Sequence, residues 1–338
     1  MGQAITRAVL IVGGRGTRLR PLTLLRPKAT VPLLNRPLLA YELMLLARYG
    51  VRDVILAMGY RADAVRETLG DGGPWGVRLT YVEETEPLGT AGAVGNLRET
   101  LDGPFIAMNG DLVYDVDIAA VTTAHQASGA ALTFCLRSVP DVSRFGLIEC
   151  DATGWVRAFR EKQSADPTGR NTVNSGLYVM SPQVLDHIPR GRAYSNETEL
   201  FPGLLQAGLS LLGYVPENQG YWADAGTLES YLEASRCLLD GAIPWLGLSA
   251  TDHGGDAEGR IVPPVHRGRN VSIAPGAVLG PHVCLGDDCQ VGAGSRLSNC
   301  ILWDKVSVGA HCVLSGVVVS DGVTIPAGTH RDGGAVVQ

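Results

Sequence analysis

The first apolar run, Ala8–Val12, stops abruptly at Gly13-Gly14, as a buried strand does when it runs into a glycine loop. From Pro37 to Tyr49 apolar residues fall at helical spacing, and the run ends at Gly50. Asp53–Met58 then reads as a strand, Ala62–Leu69 as a short helix, Arg78–Val82 as a strand and Ala91–Leu101 as a helix. Phe105–Met108 is another strand, broken by Asn109-Gly110-Asp111. Strands alternating with helices at this rhythm predict a mostly parallel sheet covered on both faces. From Ala130 to about Met180 the pattern turns strand-rich, with turns at Asp151–Gly154 and Asp166–Gly169. Helical spacing returns at Glu197–Gln206 and Leu228–Leu239. The pattern predicts one α/β domain over residues 1–240.

Residues 241–268 hold Pro244, Gly247, Gly254-Gly255, Gly259 and Pro263-Pro264, a linker composition. A different periodicity follows over 269–338. Ile273, Leu279, Leu285, Val291 and Leu297 fall six apart, with Gly280, Gly286 and Gly292 directly after three of them. The register slips by one residue before Val308 and Leu314, and again before Val319 and Ile325. A hexapeptide period predicts a parallel β-helix, in which one apolar residue per flat strand points inward and small residues allow the corner. The periodic stretch suffices for about three coils, too few to be stable alone, so the element is expected to pack on something else.

Composition narrows the function. The chain of 338 residues is 45% hydrophobic and 18% charged, with a net charge of −6, which excludes a disordered chain and offers no electrostatic footprint for nucleic acid or anionic membrane. No run of about 18 apolar residues is present to span a bilayer. Seven cysteines without a CxxC pair argue against a disulfide framework or structural zinc and fit a reducing, cytoplasmic setting. Sixteen of the 43 glycines lie in residues 247–338, in keeping with a tail built differently from the rest. Lysine is scarce: Lys28, Lys162 and Lys305 stand among 28 cationic residues.

The chemistry starts at Gly13-Gly14-Arg15-Gly16-Thr17-Arg18. Neither common phosphate fingerprint fits, because GxxxxGK[ST] is absent and Leu19 stands where GxGxxG needs its last glycine. A glycine turn after a strand still presents several backbone N–H groups to an anion, and Arg18 adds a fixed fork of donors that stays charged. The run Gly13-Gly14-Arg15-Gly16-Thr17-Arg18-Leu19-Arg20-Pro21-Leu22-Thr23, followed by Pro27-Lys28, resembles the GGxGTRLxPLT…PKP signature of the sugar-phosphate nucleotidyltransferases, the NDP-sugar pyrophosphorylases. The likeness continues in the same order through Pro87-Leu88-Gly89-Thr90-Ala91-Gly92, Asn109-Gly110-Asp111, Glu161-Lys162, Asn174-Ser175-Gly176 and Trp222-Ala223-Asp224-Ala225-Gly226-Thr227. It spans nearly the whole chain, and among members of the family it is closest to the guanylyltransferase branch, where a β-helix tail is frequent.

The resemblance implies a Rossmann-like α/β domain with a mixed, mostly parallel sheet, then a short left-handed parallel β-helix. It implies that a sugar 1-phosphate oxygen attacks the α-phosphorus of a nucleoside triphosphate and pyrophosphate leaves. Such a reaction needs charge neutralisation and in-line positioning, not a protein nucleophile. Arg18 and Lys28 are then the catalytic cations around the triphosphate. Ile11, Gly13, Gly14, Gly16, Thr17, Glu84, Gly89 and Thr90 would bind the nucleotide. Lys162 would hold the sugar phosphate, while Gly146, Glu161, Asn174 and Gly176 would hold the sugar. Asp111 and Asp224 would bind Mg²⁺, a hard cation suited to carboxylate and phosphate oxygens. Two of the three lysines thus fall in motifs, and Lys305 reads as a surface residue.

Glu84 stands where the family's pyrimidine-using members carry a base-reading glutamine. A carboxylate only accepts hydrogen bonds, which matches the adjacent N1–H and 2-amino donors of guanine and sets an acceptor against the edge of adenine, uracil or thymine. GTP is therefore the first choice of nucleotide, with another triphosphate as the alternative. Mannose 1-phosphate is the first choice of sugar. Departures from the family pattern at Val12, Ala29 and Gln163 leave a heptose, a deoxysugar precursor or a cyclitol phosphate open. Two further readings are a non-catalytic regulatory relative, disfavoured because Arg18, Lys28, Asp111 and Asp224 are all present, and an acyltransferase activity of the tail, disfavoured by its length. No nucleic-acid or membrane partner is expected, and β-helix tails of this kind often join subunits into a homo-oligomer.

Overall fold

The computed structural model describes residues 4–140, 142, 146–160, 171–248 and 259–338. The chain divides into two compact units that interleave in sequence. The first comprises residues 1–14 and 40–219, the second residues 15–39 and 220–338.

The first unit is built on a nine-stranded sheet of β1 (Arg7–Val12), β2 (Asp53–Met58), β3 (Arg78–Glu83), β4 (Phe105–Asn109), β5 (Leu132–Ser138), β6 (Leu147–Cys150), β7 (Val156–Arg160), β8 (Thr172–Met180) and β9 (Leu211–Tyr214). The order is β7-β6-β8-β4-β1-β2-β3, with β5 also paired to β8 and β9 to β5. The alternating half of the sequence forms the parallel strands β4-β1-β2-β3, and the strand-rich stretch supplies the antiparallel pairs around β8. Val9, Ala57, Phe105, Ala107, Phe134, Tyr178 and Phe201 share one buried core.

Helix boundaries depart from the apolar spacing where glycine or proline intervenes. The helix expected from Pro37 begins at Ala40, because Arg36–Pro37 pairs with Pro32–Leu33 in a small hairpin and the N–H of Leu39 bonds to the carbonyl of Ala29. The helix expected over Ala91–Leu101 covers Gly89–Gly95. The one expected over Glu197–Gln206 is split into a π-helical turn, Asn196–Leu200, and an α-helix, Phe201–Gln206. Pro202, lacking an N–H, leaves the regular ladder without a donor at that junction.

The second unit contains the helix Leu228–Leu239 and a left-handed parallel β-helix. Its coils form sheets of five, five and four strands running from Arg260–Ile261 to Ala335–Val336. There are thus more coils than the three expected, because the coil at Arg260–Arg267 and the one at His330–Val336 lack the hexapeptide pattern yet continue the ladders. Strand pairing begins at Arg260, ahead of residue 269 where the periodicity becomes legible. Both register slips fall at one corner. Pairing steps from Val265↔Val283 to the shorter Val283↔Cys300, and the lost residue is at the turn held by Asn299, φ 49°, with Gly316, φ 62°, at the same corner one coil on. Inward positions Ile273, Leu279, Leu285, Val291, Leu297, Val308, Leu314, Val319 and Ile325 form the core of this helix. No helix among the described residues is long and apolar enough to cross a membrane.

Candidate active site

Within the second unit, the residues following the double glycine fold into a tight cationic loop. Gly16 is left-handed at φ 58°, and its carbonyl accepts the Thr23 hydroxyl at 2.8 Å. A Cβ there would lie 2.9 Å from Thr23 Cγ2 and 3.1 Å from Lys28 Cβ, so only glycine lets the turn close against Lys28. Thr17 opens the 3₁₀ turn Thr17–Leu19 that carries Arg18, and Lys28 opens the turn Lys28–Thr30. Lys28 is 8% exposed and its Nζ donates to Asp224 Oδ1 at 2.9 Å. Arg18 Nη2 donates to the other oxygen, Oδ2, at 3.1 Å.

Asp224 ends the strand Trp222–Asp224, and Thr227 starts the next helix with a capping box to Ser230. Between them Gly226 leaves no space for a Cβ unless the ends of the Asp224 and Arg18 side chains move. A Cβ there would meet Asp224 Oδ1 at 2.7 Å and Arg18 Nη2 at 2.9 Å. Burial alone would raise the Asp224 pKa, but Lys28 and then Arg18 outweigh it and hold the carboxyl below its ordinary value. Arg18, Lys28 and Asp224 are therefore one ion-paired cluster, with Gly226 packed against it.

In the first unit the expected nucleotide residues gather at the carboxyl ends of the parallel strands, where open α/β sheets offer a crevice. The Ile11 carbonyl, at the end of β1, accepts the Gly110 N–H at 2.9 Å. Gly13 is close enough to Glu84 that a Cβ would lie 3.9 Å from its Oε2, and among the described residues no atom lies within 4 Å of a Cβ built on Gly14. Glu84, just past β3, accepts the Leu88 N–H on Oε2 at 3.0 Å. Burial raises its pKa, opposed by that hydrogen bond. Gly89, φ 71°, opens the helix in which the Thr90 hydroxyl accepts the Asn196 N–H at 2.8 Å and donates to Glu197 at 3.3 Å.

Asp111 follows β4, and the next residue, Leu112, donates its N–H to the buried carboxylate of Glu42 at 2.8 Å. Glu42 is a buried carboxylate that the sequence pattern hides, since it stands on the core face of a largely apolar helix and holds the backbone next to Asp111. Asn109 Oδ1 is buried without a hydrogen-bond partner among the described residues, a costly state for an amide oxygen.

A cleft of about 520 Å³ opens between β6, β7, β8 and the helix at Phe201, lined by Gly146, Phe159, Asn174, Glu197, Phe201 and their neighbours. Asn174 is fixed by its own surroundings: Nδ2 donates to Tyr178 Oη at 2.7 Å and Oδ1 accepts the Gly176 N–H at 3.0 Å. Gly176, φ 82°, packs its backbone against Asn109 and Leu112. Burial, then the charge of Glu197, pushes the Tyr178 phenol well up, so it remains a neutral donor and acceptor. Glu161 and Lys162 lie outside the described residues. The structure thus brings Gly146, Asn174 and Glu197 into one cleft, and Arg18, Lys28 and Asp224 into one cluster of the other unit. Glu197 was missed by the pattern because it sits in a segment readable only as a helix.

A mixed sheet with the motif residues gathered at the ends of its parallel strands, a loop carrying paired cations and a β-helical tail are the features of a nucleotide-handling transferase. The chain belongs to the nucleotidyl transferase family, whose model matches residues 7–241, and residues 261–338 match the GMPPB C-terminal domain. It is 37% identical to a mannose-1-phosphate guanylyltransferase of Mycobacterium tuberculosis over 91% of this chain and 82% of that one. It is 32% identical to mannose-1-phosphate guanylyltransferase 1 of Arabidopsis thaliana over 93% and 85%. Among solved structures it resembles HddC from Yersinia pseudotuberculosis complexed with GMP-PN, with a TM-score of 0.59 and 28% identity, over 69% of this chain and all of that one. Nucleotidyltransferases of this family generally need a divalent metal.

Proposed function

We propose that this protein is a mannose-1-phosphate guanylyltransferase, which transfers GMP from GTP to mannose 1-phosphate. An oxygen of the sugar phosphate forms a bond to the α-phosphorus, the bond from that phosphorus to the bridging oxygen of the β-phosphate breaks, and pyrophosphate leaves with the electron pair. The observation that carries the reading is the Arg18–Asp224–Lys28 cluster. Two cations held in register by one carboxylate can turn to the triphosphate without losing charge, and their field stabilises the extra negative charge of the transition state. Lys28 supplies a compact charge and Arg18 a planar fork.

Glu84 supports guanine, because Leu88 holds one of its oxygens and an ionised carboxylate accepts from both N1–H and the 2-amino group. Backbone at Gly13, Gly14, Gly16, Thr17 and Gly89 would approach the phosphates and ribose, with Ile11 and Thr90 beside them. Gly146, Asn174 and Gly176 would meet the sugar, and Glu161 and Lys162 would bind its hydroxyls and phosphate. Asp111 and Asp224 would each offer hard carboxylate oxygens of the kind magnesium takes, and in the first unit Asn109, two positions before Asp111, keeps a buried amide oxygen with no hydrogen-bond partner among the described residues. The ion would neutralise phosphate oxygens while the chain's own groups orient them. A reaction drawing on GTP fits the cytoplasm, and a β-helix tail fits a homo-oligomer, which light scattering on the purified protein measures.

The test is pyrophosphate release from GTP, ATP, UTP, dTTP and CTP, each with mannose 1-phosphate, a heptose 1-phosphate and a cyclitol phosphate, with and without magnesium. GTP with mannose 1-phosphate and magnesium is expected to lead. A higher rate with UTP or dTTP would overturn the reading of Glu84, and no release from any pair would overturn the enzyme assignment to this chemistry.

A further inference from the structure

The second unit contains a polar connection from the β-helix to the segment that carries Lys28. Three aspartates, Asp287, Asp304 and Asp321, occupy equivalent corners of successive coils and form a ladder. Asp287 Oδ1 accepts the Arg269 N–H at 2.8 Å, Asp304 Oδ1 the Asp287 N–H at 2.8 Å, and Asp321 Oδ1 the Asp304 N–H at 3.3 Å. Each end is closed by an arginine. Arg269 pairs with Asp287, its Nε at 2.8 Å, and at the far end Arg26 pairs with Asp321. Arg26 belongs to the signature segment, two positions before Lys28. Its guanidinium also stacks on Trp303, 4.8 Å from the ring centroid.

Two further connections tie the same segment to the same surface. Trp303 is buried and donates from Nε1 to Tyr231 Oη at 3.2 Å, and the Tyr231 hydroxyl donates to the Pro32 carbonyl. Asn35 Nδ2 donates to the Leu285 carbonyl at 2.8 Å. The hairpin between them turns through Leu34 and Asn35 at φ 44° and 59°, a conformation leucine adopts only when its surroundings impose it. The β-helix thus holds the segment from Arg26 to Asn35 at three points, Arg26, Pro32 through Tyr231, and Asn35.

We propose that Arg26 is a positioning residue for nucleotidyl transfer, and that Asp321 and Trp303 of the β-helix act through it to hold Lys28 in place for the triphosphate. This rests on the reading of Lys28 given above. The tail is then part of the nucleotide-binding machinery, distinct from any role in assembly. The arrangement is specific, because the ladder gives Asp321 one oxygen for its coil and leaves the other for Arg26.

The test uses the full chain with Arg26→Ala, Asp321→Ala, the double variant and Arg26→Lys. Steady-state kinetics are followed with GTP and mannose 1-phosphate, and GTP affinity by calorimetry. Each alanine variant is expected to raise KM and Kd for GTP about tenfold and leave KM for the sugar phosphate within about twofold. The double variant should be no worse than Arg26→Ala alone, and Arg26→Lys should recover part of the loss. Unchanged GTP affinity in Asp321→Ala would overturn the proposal, as would additive effects or an equal rise in both KM values with a lowered melting temperature. If the unaltered chain transfers nothing, the parent reading fails by that result, and the GTP affinities still decide this one.

Discussion

Single side chains carry the sharpest expectations. Lys28→Ala removes the buried cation of the Asp224 cluster and should lower kcat/KM at least about 100-fold, the usual scale for a preorganised donor facing developing charge. Gly226→Ala should do comparable damage without touching a charge, because its Cβ would drive Asp224 and Arg18 apart; pyrophosphate release measures both. Glu84→Gln exchanges one acceptor for a donor and should shift the ratio of kcat/KM for GTP over UTP toward UTP by about tenfold or more, read from competing-substrate assays. Asp224 titrates below the ordinary carboxylate range, so its ion pairs are present above about pH 4 and are lost only as the pH falls through the depressed value. Activity between pH 5 and 8 should accordingly show no limb from this group.

His125 gives the opposite kind of pH expectation, one of stability. It is buried between Thr133 Oγ1 at 2.9 Å and Ser181 Oγ at 3.1 Å, and burial lowers its pKa from 6.5 to about 4. The neutral ring is favoured in the folded state, so its contribution is complete above pH 6.5 and is lost as the pH falls toward 4. The difference corresponds to about 3 kcal/mol at the acid end. Urea unfolding of the native protein should weaken over that interval, and His125→Gln should flatten the dependence.

Among elements, the contrast between what the pattern revealed and what it concealed has physical causes. The strands Arg7–Val12, Asp53–Met58 and Phe105–Asn109 were legible because parallel strands buried on both faces are continuous apolar runs. The helices near Gly89 and Phe201 depart from the apolar spacing at their ends, where glycine packing and a proline break the ladder. The coil periodicity was legible because inward positions must be apolar, yet the end coils do not show it. Their strands at Arg260–Ile261 and His330–Asp332 are largely solvent-facing and need no such pattern. The cationic loop was legible as a motif, but Glu42 and Arg26 were not, since each acts on a partner far away in sequence. Leu297→Ala, which empties an inward site at the middle coil, should cost about 2–4 kcal/mol in calorimetric unfolding.

For the molecule as a whole, the order of the units along the chain matters more than their sizes. The chain passes from the first unit to the second after Gly14, returns before Ala40, and passes again after Gln219. A fragment ending at residue 240 contains nearly all of the sequence that matches the nucleotidyl transferase model, yet it lacks Leu285, Trp303 and Asp321, which hold Asn35, Tyr231 and Arg26. That fragment should show a raised KM for GTP and a lower melting temperature than the full chain, both measurable on purified protein. The interleaving also governs how such a protein can be recombined. A chimera joined at residue 240 would inherit an arginine from one parent and its ladder from the other, so grafted tails should function only when residues 15–39 travel with them.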